Sequence, residues 1–243
     1  MALNIVAWTE TSVHSLSVET GRSRCLWWRR PGGSPIYLGA AIFAAQVADD
    51  ELQRDLRQAE AAWGAAGFGL WDCWATRDLG RFGYRRQWLA PWYLRMPSAP
   101  TTPAELPSGL SIELVTTANH LAEFEQATWE GFEMVEAAHR SGGRFSQHAV
   151  ATLDDLYYLN ARLEGYVVAS TIAYATDNMV GIYGLSTLPR FRRRGYATAL
   201  VGAAVALRPD LPVCVQPDPP TVPLYTRMGF GRAGEIAAWD KAL

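Results

Sequence analysis

The stretch Ser186-Thr-Leu-Pro-Arg-Phe-Arg-Arg-Arg-Gly-Tyr-Ala-Thr198 decides how this chain is read. Met179–Thr187 leads into it and reads as a strand. An Ala-rich run, Gly195–Leu207, follows as a helix that stops before Pro209. Arg192-x-x-Gly195-x-Ala197 puts small residues where the backbone must come close to a ligand. The first amides of the helix have no internal acceptor and sit at the positive end of its dipole. Both properties suit a pyrophosphate. Arg190, Arg192, Arg193 and Arg194 add guanidinium groups to the same rim. Taken alone, the same residues also fit a solvated basic turn or a nucleic-acid patch.

Outward from this segment the C-terminal half alternates strands and helices. Ser111–Val115 is a short strand. Thr117–Glu130 is helical, with Thr117 or Asn119 as N-cap and Leu121, Phe124, Glu125 and Thr128 at helical spacing. Ser141-Gly142-Gly143 breaks the chain. Leu156–Ala161 and Tyr166–Tyr174 form a hairpin turned at Leu163-Glu164-Gly165, and Asp177-Asn178 turns the chain into Met179–Thr187. Pro212–Gln216 is a buried strand, Val222–Met228 a short helix capped by Gly229, and Ile236–Leu243 a last strand. The class is α/β (α+β): a mixed sheet with helices on its faces.

Composition narrows the function classes. The 243 residues are 49% hydrophobic and 19% charged, enough for a sizeable core. The formal net charge of −2 gives no global pull toward nucleic acid or anionic lipid. Lys241 is the only lysine, so arginine carries nearly all the positive charge. Cys25, Cys73 and Cys214 show no paired spacing, which argues against a disulfide framework or a metal site. No apolar run reaches the ~18 residues of a membrane span, and Met1–Ile5 lacks a signal-peptide pattern. The expectation is a cytoplasmic protein, with a homodimer left open.

The segment around Arg192 resembles the acyl-CoA-binding motif of the GNAT superfamily of acetyltransferases: Gln or Arg, two residues, Gly, one residue, then Gly or Ala. Thr187-x-Pro189 resembles the family's strand end. About thirty residues on, Pro223-Leu-Tyr-Thr-Arg-Met-Gly-Phe230 is similar to its second signature, a Tyr-bearing short helix ending in Gly-Phe. The resemblance covers roughly Ser111–Leu243. It implies a mostly antiparallel sheet that splays between the strands ending at Thr187 and Gln216, with acetyl-CoA in the cleft. By position, Leu185, Ser186 and Thr187 would face pantetheine, with Gln216 on the opposite strand. Arg192, Arg193, Arg194, Gly195, Tyr196, Ala197 and Thr198 would hold the pyrophosphate. Tyr225 would protonate the departing thiolate, since a phenol with an ordinary pKa of about 10 is protonated at neutral pH. The implied activity is transfer of acetyl from acetyl-CoA to a primary amine of a small molecule, amino-acid derivative or peptide, without a metal. Asn178–Pro189 has no Asp, Glu or His, where many members carry a base. Candidates for that role are Glu130, Glu133, Glu136, His139 and His148, or a water relay. The missing carboxylate also keeps open a non-catalytic acyl-CoA-binding or sensing protein.

The segment Pro97–Gly109 holds four prolines in thirteen residues and divides the chain. The expected units are 1–97, a linker 98–109, and 110–243. In the first unit Ile36–Phe43 reads as a strand. Asp49–Ala66 reads as a helix with Leu52, Leu56, Ala59 and Trp63 on one face. Arg81-Phe-Gly-Tyr84 echoes Arg227-Met-Gly-Phe230, each followed by a tryptophan in a strand-like segment, Trp92 and Trp239. Leu79 stands where Tyr225 stands. Residues 1–97 therefore read as a shrunken GNAT-like copy without a pyrophosphate loop, which binds no cofactor.

Overall fold

The computed structural model describes residues 1–32, 37–64, 68–97, 106–140, 144 and 153–241. Ser141–Gly143, His148, most of the Pro-rich linker and the ends Ile36, Ala66 and Leu243 of three expected elements lie outside these residues. The elements run α1 (Ala2–Ser15), β1 (Thr20–Arg22), β2 (Leu26–Arg29), β3 (Ala40–Ile42), α2 (Asp49–Trp63), β4 (Phe68–Asp72) and β5 (Arg85–Arg95) in the first half. The second half holds β6 (Leu110–Leu114), α3 (Ala118–Gly131), α4 (Val135–Arg140), β7 (Leu156–Leu163), β8 (Tyr166–Thr176), β9 (Met179–Thr187), α5 (Tyr196–Leu207), β10 (Val213–Val215), α6 (Val222–Arg227) and β11 (Gly231–Lys241).

All described strands join one sheet in the order β1-β2-β3-β4-β11-β5-β10-β9-β8-β7-β6. Neighbours are antiparallel except β3 beside β4 and β9 beside β10, so the sheet is mixed and mostly antiparallel. Each parallel pair is bridged by a helix, α2 in one half and α5 in the other. The centre of the sheet is an exchange. β5, the last strand of the first half, lies between β10 and β11 of the second. β11, the last strand of the second half, lies between β4 and β5 of the first. The two long strands pair antiparallel from Gly231↔Leu94 to Asp240↔Arg85.

Alternation along the strands sorts side chains to two faces. α1 and α3 cover one face with a shared core that includes Trp8, Trp27, Trp92, Phe124, Tyr158 and Ile236. On the other face α5 covers the second half, and α2 buries Leu52, Leu56 and Ala59 against Leu26, Ile42, Leu70 and Trp239. The apolar stripe of α2 thus packs on its own sheet and on the exchanged strand β11.

The echoed turns are alike in detail. Tyr84 N donates to Leu79 O at 3.2 Å, and Phe230 N donates to Tyr225 O at 3.1 Å. Gly83 and Gly229 take φ of +84° and +83°, a left-handed conformation that glycine adopts freely. Each turn meets the basic end of the other half's last strand: Lys241 lies beside Gly83, and Arg95 Nε donates to Met228 O at 3.2 Å.

The sequence reading left α1, β1, β2, β4 and α4 unassigned and started β11 too late. β11 begins at Gly231 rather than Ile236, because β5 offers pairing along its whole length. α1 has no clean apolar period, since Asn4, Thr9 and Ser12 are buried. Asn4 is satisfied by the second half: its Nδ2 donates to Tyr174 O (3.1 Å) and Met179 O (3.3 Å), and its Oδ1 accepts from Tyr183 OH (2.5 Å).

A fragment starting at residue 108 lacks β5 and α1. Without β4 and β5 it should expose both edges of β11 and one edge of β10 and aggregate, although it keeps every candidate site residue. Size exclusion and thermal melting of that fragment check this. A monomeric, cooperatively folding fragment would contradict it. In the full chain Trp92→Ala, at the exchanged centre, should cost about 3–5 kcal/mol in denaturant unfolding.

Candidate active site

The cleft starts where a strand pair ends. β9 meets β10 only at Val180↔Val213 and Gly181↔Cys214, with Val180 N donating to Pro212 O at 2.9 Å. β9 runs on to Thr187 with no partner on that edge among the described residues. On its other edge β9 stays paired to β8 but slips register between Ser170↔Ser186 and Ile172↔Tyr183. Gly184, at φ +58°, absorbs the extra residue of this bulge. Leu188 N donates to Val168 O on β8, so strand alternation turns the amide of Thr187 to the opposite, unpaired edge.

The loop after β9 is shaped by backbone, not by side-chain caps. Pro189 opens a short 3₁₀ turn, Pro189–Phe191. Arg193 and Gly195 then take φ of +65° and +84°. Such a sequence of left-handed residues makes successive amides converge. α5 follows with no acidic residue in its first turn. Among the described residues the amides of Tyr196, Ala197 and Thr198 have no backbone acceptor, whereas Ala199 N already bonds Gly195 O at 3.0 Å. Arg190, Arg193 and Arg194 are exposed around this turn, and Arg190 and Arg194 lie over the Phe191 ring at 5.0 and 5.5 Å.

Other expected site residues take more varied places. Arg192 turns back: it donates to Thr187 O (3.2 Å) and Gly131 O (2.8 Å) and pairs with Glu133 (2.9 Å). It clamps the end of α3 to the end of β9. Tyr196 contributes its amide to the helix start, but its ring is buried beneath α5 with Leu200 and Val201. Leu185 packs on the same core, Ser186 is buried on the α3 side, and Gln216, half-buried, directly follows β10. Tyr225 is buried and packs edge-on against Phe230 at 5.4 Å. Burial, with Asp218 adding to it, pushes its phenol well above the usual value, so it stays protonated across neutral pH.

Of the acidic candidates, Glu130, Glu133 and Glu136 line one surface depression with Met134 and Pro189. Glu130 accepts from Gln126 at 2.8 Å, and Glu133 is held by Arg192. His139 is exposed on α4, and His148 lies outside the described residues. Sequence reasoning missed Gly131. A side chain there would begin 2.8 Å from Ser186 Cβ and Oγ, so only glycine lets α3 settle on β9. It also missed Gly184, although a lone glycine inside a strand is a signal for a bulge.

The equivalent place in the first half is closed. α2 starts with Asp49, Asp50 and Glu51, which favour the helix but repel a phosphate. Arg77 fills the strand end, donating to Ala44 O (3.1 Å), Ala45 O (3.0 Å) and Asp72 (3.4 Å).

A mixed sheet splayed between β9 and β10 and leading into a loop of open amides is the arrangement that the resemblance to the GNAT superfamily implies. Residues 119–230 match the family described as "Acetyltransferase (GNAT) family", and the C-terminal half of this chain belongs to that superfamily. The fold extends over both halves in solved structures. A GCN5-related N-acetyltransferase from Kribbella flavida aligns at a TM-score of 0.66 and 16% identity, covering 98% of this chain and 95% of that one. A putative GNAT-family acetyltransferase from Novosphingobium aromaticivorans aligns at 0.61 and 17% identity, covering 100% and 99%. A tandem GNAT protein from the clavulanic acid biosynthesis pathway aligns at 0.58 and 14% identity, covering 98% and 94%. No curated protein matches the chain. Among the described residues no helix is long and apolar enough to cross a membrane.

Calorimetry with acetyl-CoA should find one site per chain, located by Gly195. Its left-handed backbone, at φ +84°, strains any β-branched side chain, whose Cβ would stand in ordinary contact with Pro107 at 3.5 Å. Gly195→Val should weaken binding at least about a hundredfold while the melting transition persists. Two sites per chain, or unchanged affinity in the folded variant, would contradict this placement.

Proposed function

We propose that this chain transfers the acetyl group of acetyl-CoA to a primary amine of a small molecule, amino-acid derivative or peptide. The observation that carries the reading is the continuous path from the unpaired edge of β9 to the open amides and arginine rim at the start of α5. Pantetheine lies along Leu185–Thr187 and Gln216, its amides bonding to the strand edge. The pyrophosphate sits on the amides of Gly195–Thr198 with Arg193 and Arg194 at its flank. Arg192 acts indirectly, holding the loop to α3. The amine enters from the depression lined by Glu130, Glu133 and Glu136, whose carboxylates favour a cation.

The amine nitrogen, once deprotonated, attacks the thioester carbon. The C–N bond forms, the C–S bond breaks, and the proton on Tyr225 passes to the departing thiolate. The ammonium proton has gone to a carboxylate of the depression, directly or through water, and the N–H proton released as the amide forms restores the Tyr225 phenol. The chain divides functionally at the 98–109 linker. Residues 110–243 do the chemistry, and residues 1–97, a degenerate copy, supply β5 and α1 to its core. A second reading, an acyl-CoA-binding sensor, draws on the absence of Asp, Glu and His from β9.

Free-thiol release from acetyl-CoA with ethanolamine, spermidine, tryptamine, kanamycin and glycinamide separates the two. Amine-dependent release supports the transferase, and tight binding of acetyl-CoA without release supports the sensor. Tyr225→Phe keeps the ring packing and removes only the donor. It should lower kcat about a hundredfold with the Kd for acetyl-CoA little changed. Equal turnover would assign Tyr225 to packing. Because its phenol lies above the usual range, kcat should rise as the amine deprotonates and show no fall up to about pH 10. A fall between pH 8 and pH 9 would contradict its role as the acid.

A further inference from the structure

Glu113, His120 and Glu123 each offer a ligand atom, and these three atoms lie within 4.8 Å of one another, the one such set of side chains among the described residues. Folding brings them together from two elements. Glu113 stands on the edge strand β6. His120 and Glu123 are three residues apart near the start of α3 and so share one face of the helix. Solvent reaches the cluster: the side chains of His120, Glu113 and Glu123 are 39%, 30% and 48% exposed.

Two buried atoms here lack a hydrogen-bond partner among the described residues, His120 Nδ1 and Asn160 Oδ1. Asn160 is fully buried, where an unpaired amide oxygen is destabilising. Its side chain is directed to the cluster by its neighbours. Asn160 pairs directly with Glu113 across β6 and β7, which sets the two side chains next to each other on one face of the sheet. Its Nδ2 donates to His120 O at 3.3 Å, so the carboxamide sits between Glu113 and the start of α3. His120 Nδ1 is 3.9 Å from Glu113 Oε1, too far for a hydrogen bond. Arg162 does not use the carboxylates up. It takes Oε1 of Glu113 at 2.5 Å and Oε2 of Glu123, and leaves the second oxygen of each without a donor among the described residues. Two carboxylates against one guanidinium also leave the cluster net negative, with His120 neutral.

We propose that Glu113, His120 and Glu123 bind a zinc ion, with Asn160 Oδ1 accepting from a water in its fourth position. One imidazole nitrogen with two carboxylate oxygens suits zinc, whereas magnesium and calcium prefer oxygen alone. Zinc bonds of about 2.0–2.1 Å set tetrahedral ligands roughly 3.4 Å apart, so the ligand atoms draw in by about an ångström on binding. Arg162 then orients both carboxylates from outside the ligand set. The ion ties the edge strand β6 to the first turns of α3, about 16 Å along the helix from Gly131 at the cleft. It is a stabilising site and takes no part in acetyl transfer. Cysteine spacing gives no sign of it, since its ligands are a histidine and two glutamates.

The test uses the full chain, stripped with EDTA and desalted into a buffer that does not coordinate zinc. Calorimetric titration with zinc chloride should find one site per chain, which magnesium chloride at the same concentration does not fill. His120→Ala removes the nitrogen ligand and should weaken zinc binding at least about tenfold, as should Glu123→Gln. His14→Ala, on α1 in the other half, should leave the affinity within about twofold. Saturating zinc should raise the melting temperature of the wild-type chain but not that of His120→Ala. No zinc uptake by the wild-type chain would overturn the proposal, because Arg162 and water alone would then satisfy the cluster. Unchanged affinity in folded His120→Ala, or an equal loss in His14→Ala, would overturn it by placing the zinc elsewhere. Should His120→Ala fail to fold, Glu123→Gln, a change at a half-exposed side chain, decides the question in the same titration.

Discussion

The antiparallel pair of β5 and β11 is the interaction on which the rest depends. Each is the final strand of its half, and each is inserted into the sheet of the other. Neither half can complete its sheet alone. The pairing also explains where the largest side chains go. Trp92 and Ile236 enter the core beneath α1 and α3, whereas Trp239 enters the core beneath α2. Burial on both faces of one strand pair locks its register, since a slip of one residue would reverse every side chain.

From that anchor the cleft follows by subtraction. β10 is only three residues long and is shared between β5 and β9. Where it ends, β9 loses its neighbour, and the bulge at Gly184 bends the free stretch. α1 secures the other end of this geometry. Trp8 stacks on Tyr183 at 4.1 Å, and Asn4 bonds the Tyr183 hydroxyl and the backbone of β8 and β9 next to Gly181, where the parallel pairing stops. A side chain at Gly181 would collide with both Asn4 and Tyr183. The first half thus braces the strand from which the cleft is built.

Much of the second half was legible because its signals are local. Thr117 caps α3 by accepting from His120 N at 3.2 Å, as a threonine before an apolar-periodic run does. β9 occupies the expected Met179–Thr187, and α5 stops at Leu207 ahead of Pro209. The open amides after Gly195 were readable for the same reason, because a strand, a glycine and a helix in series are a local pattern. What stayed hidden depends on distant partners. The burial of Asn4 makes sense only beside Tyr174 and Tyr183. Arg192 reads as a phosphate ligand until Gly131 and Glu133 are brought to it. The echo of Arg81–Tyr84 in Arg227–Phe230 was visible as letters, but the strand exchange that gives it meaning was not.

The exchange also sets a schedule. During synthesis β5 emerges well before either of its sheet neighbours, β10 and β11, exists. Its edges must wait, unpaired, until β10 and β11 have been made, and contacts so distant in sequence form slowly. The loop of amides and Tyr225 would be translated earlier than β11, yet they are held in place only when β11 closes the sheet centre. A chain that stops before β11 would carry the whole set of candidate active-site residues without the strand pair that closes the sheet centre, so the cleft assembles as a late event of folding and not as a product of its own segment.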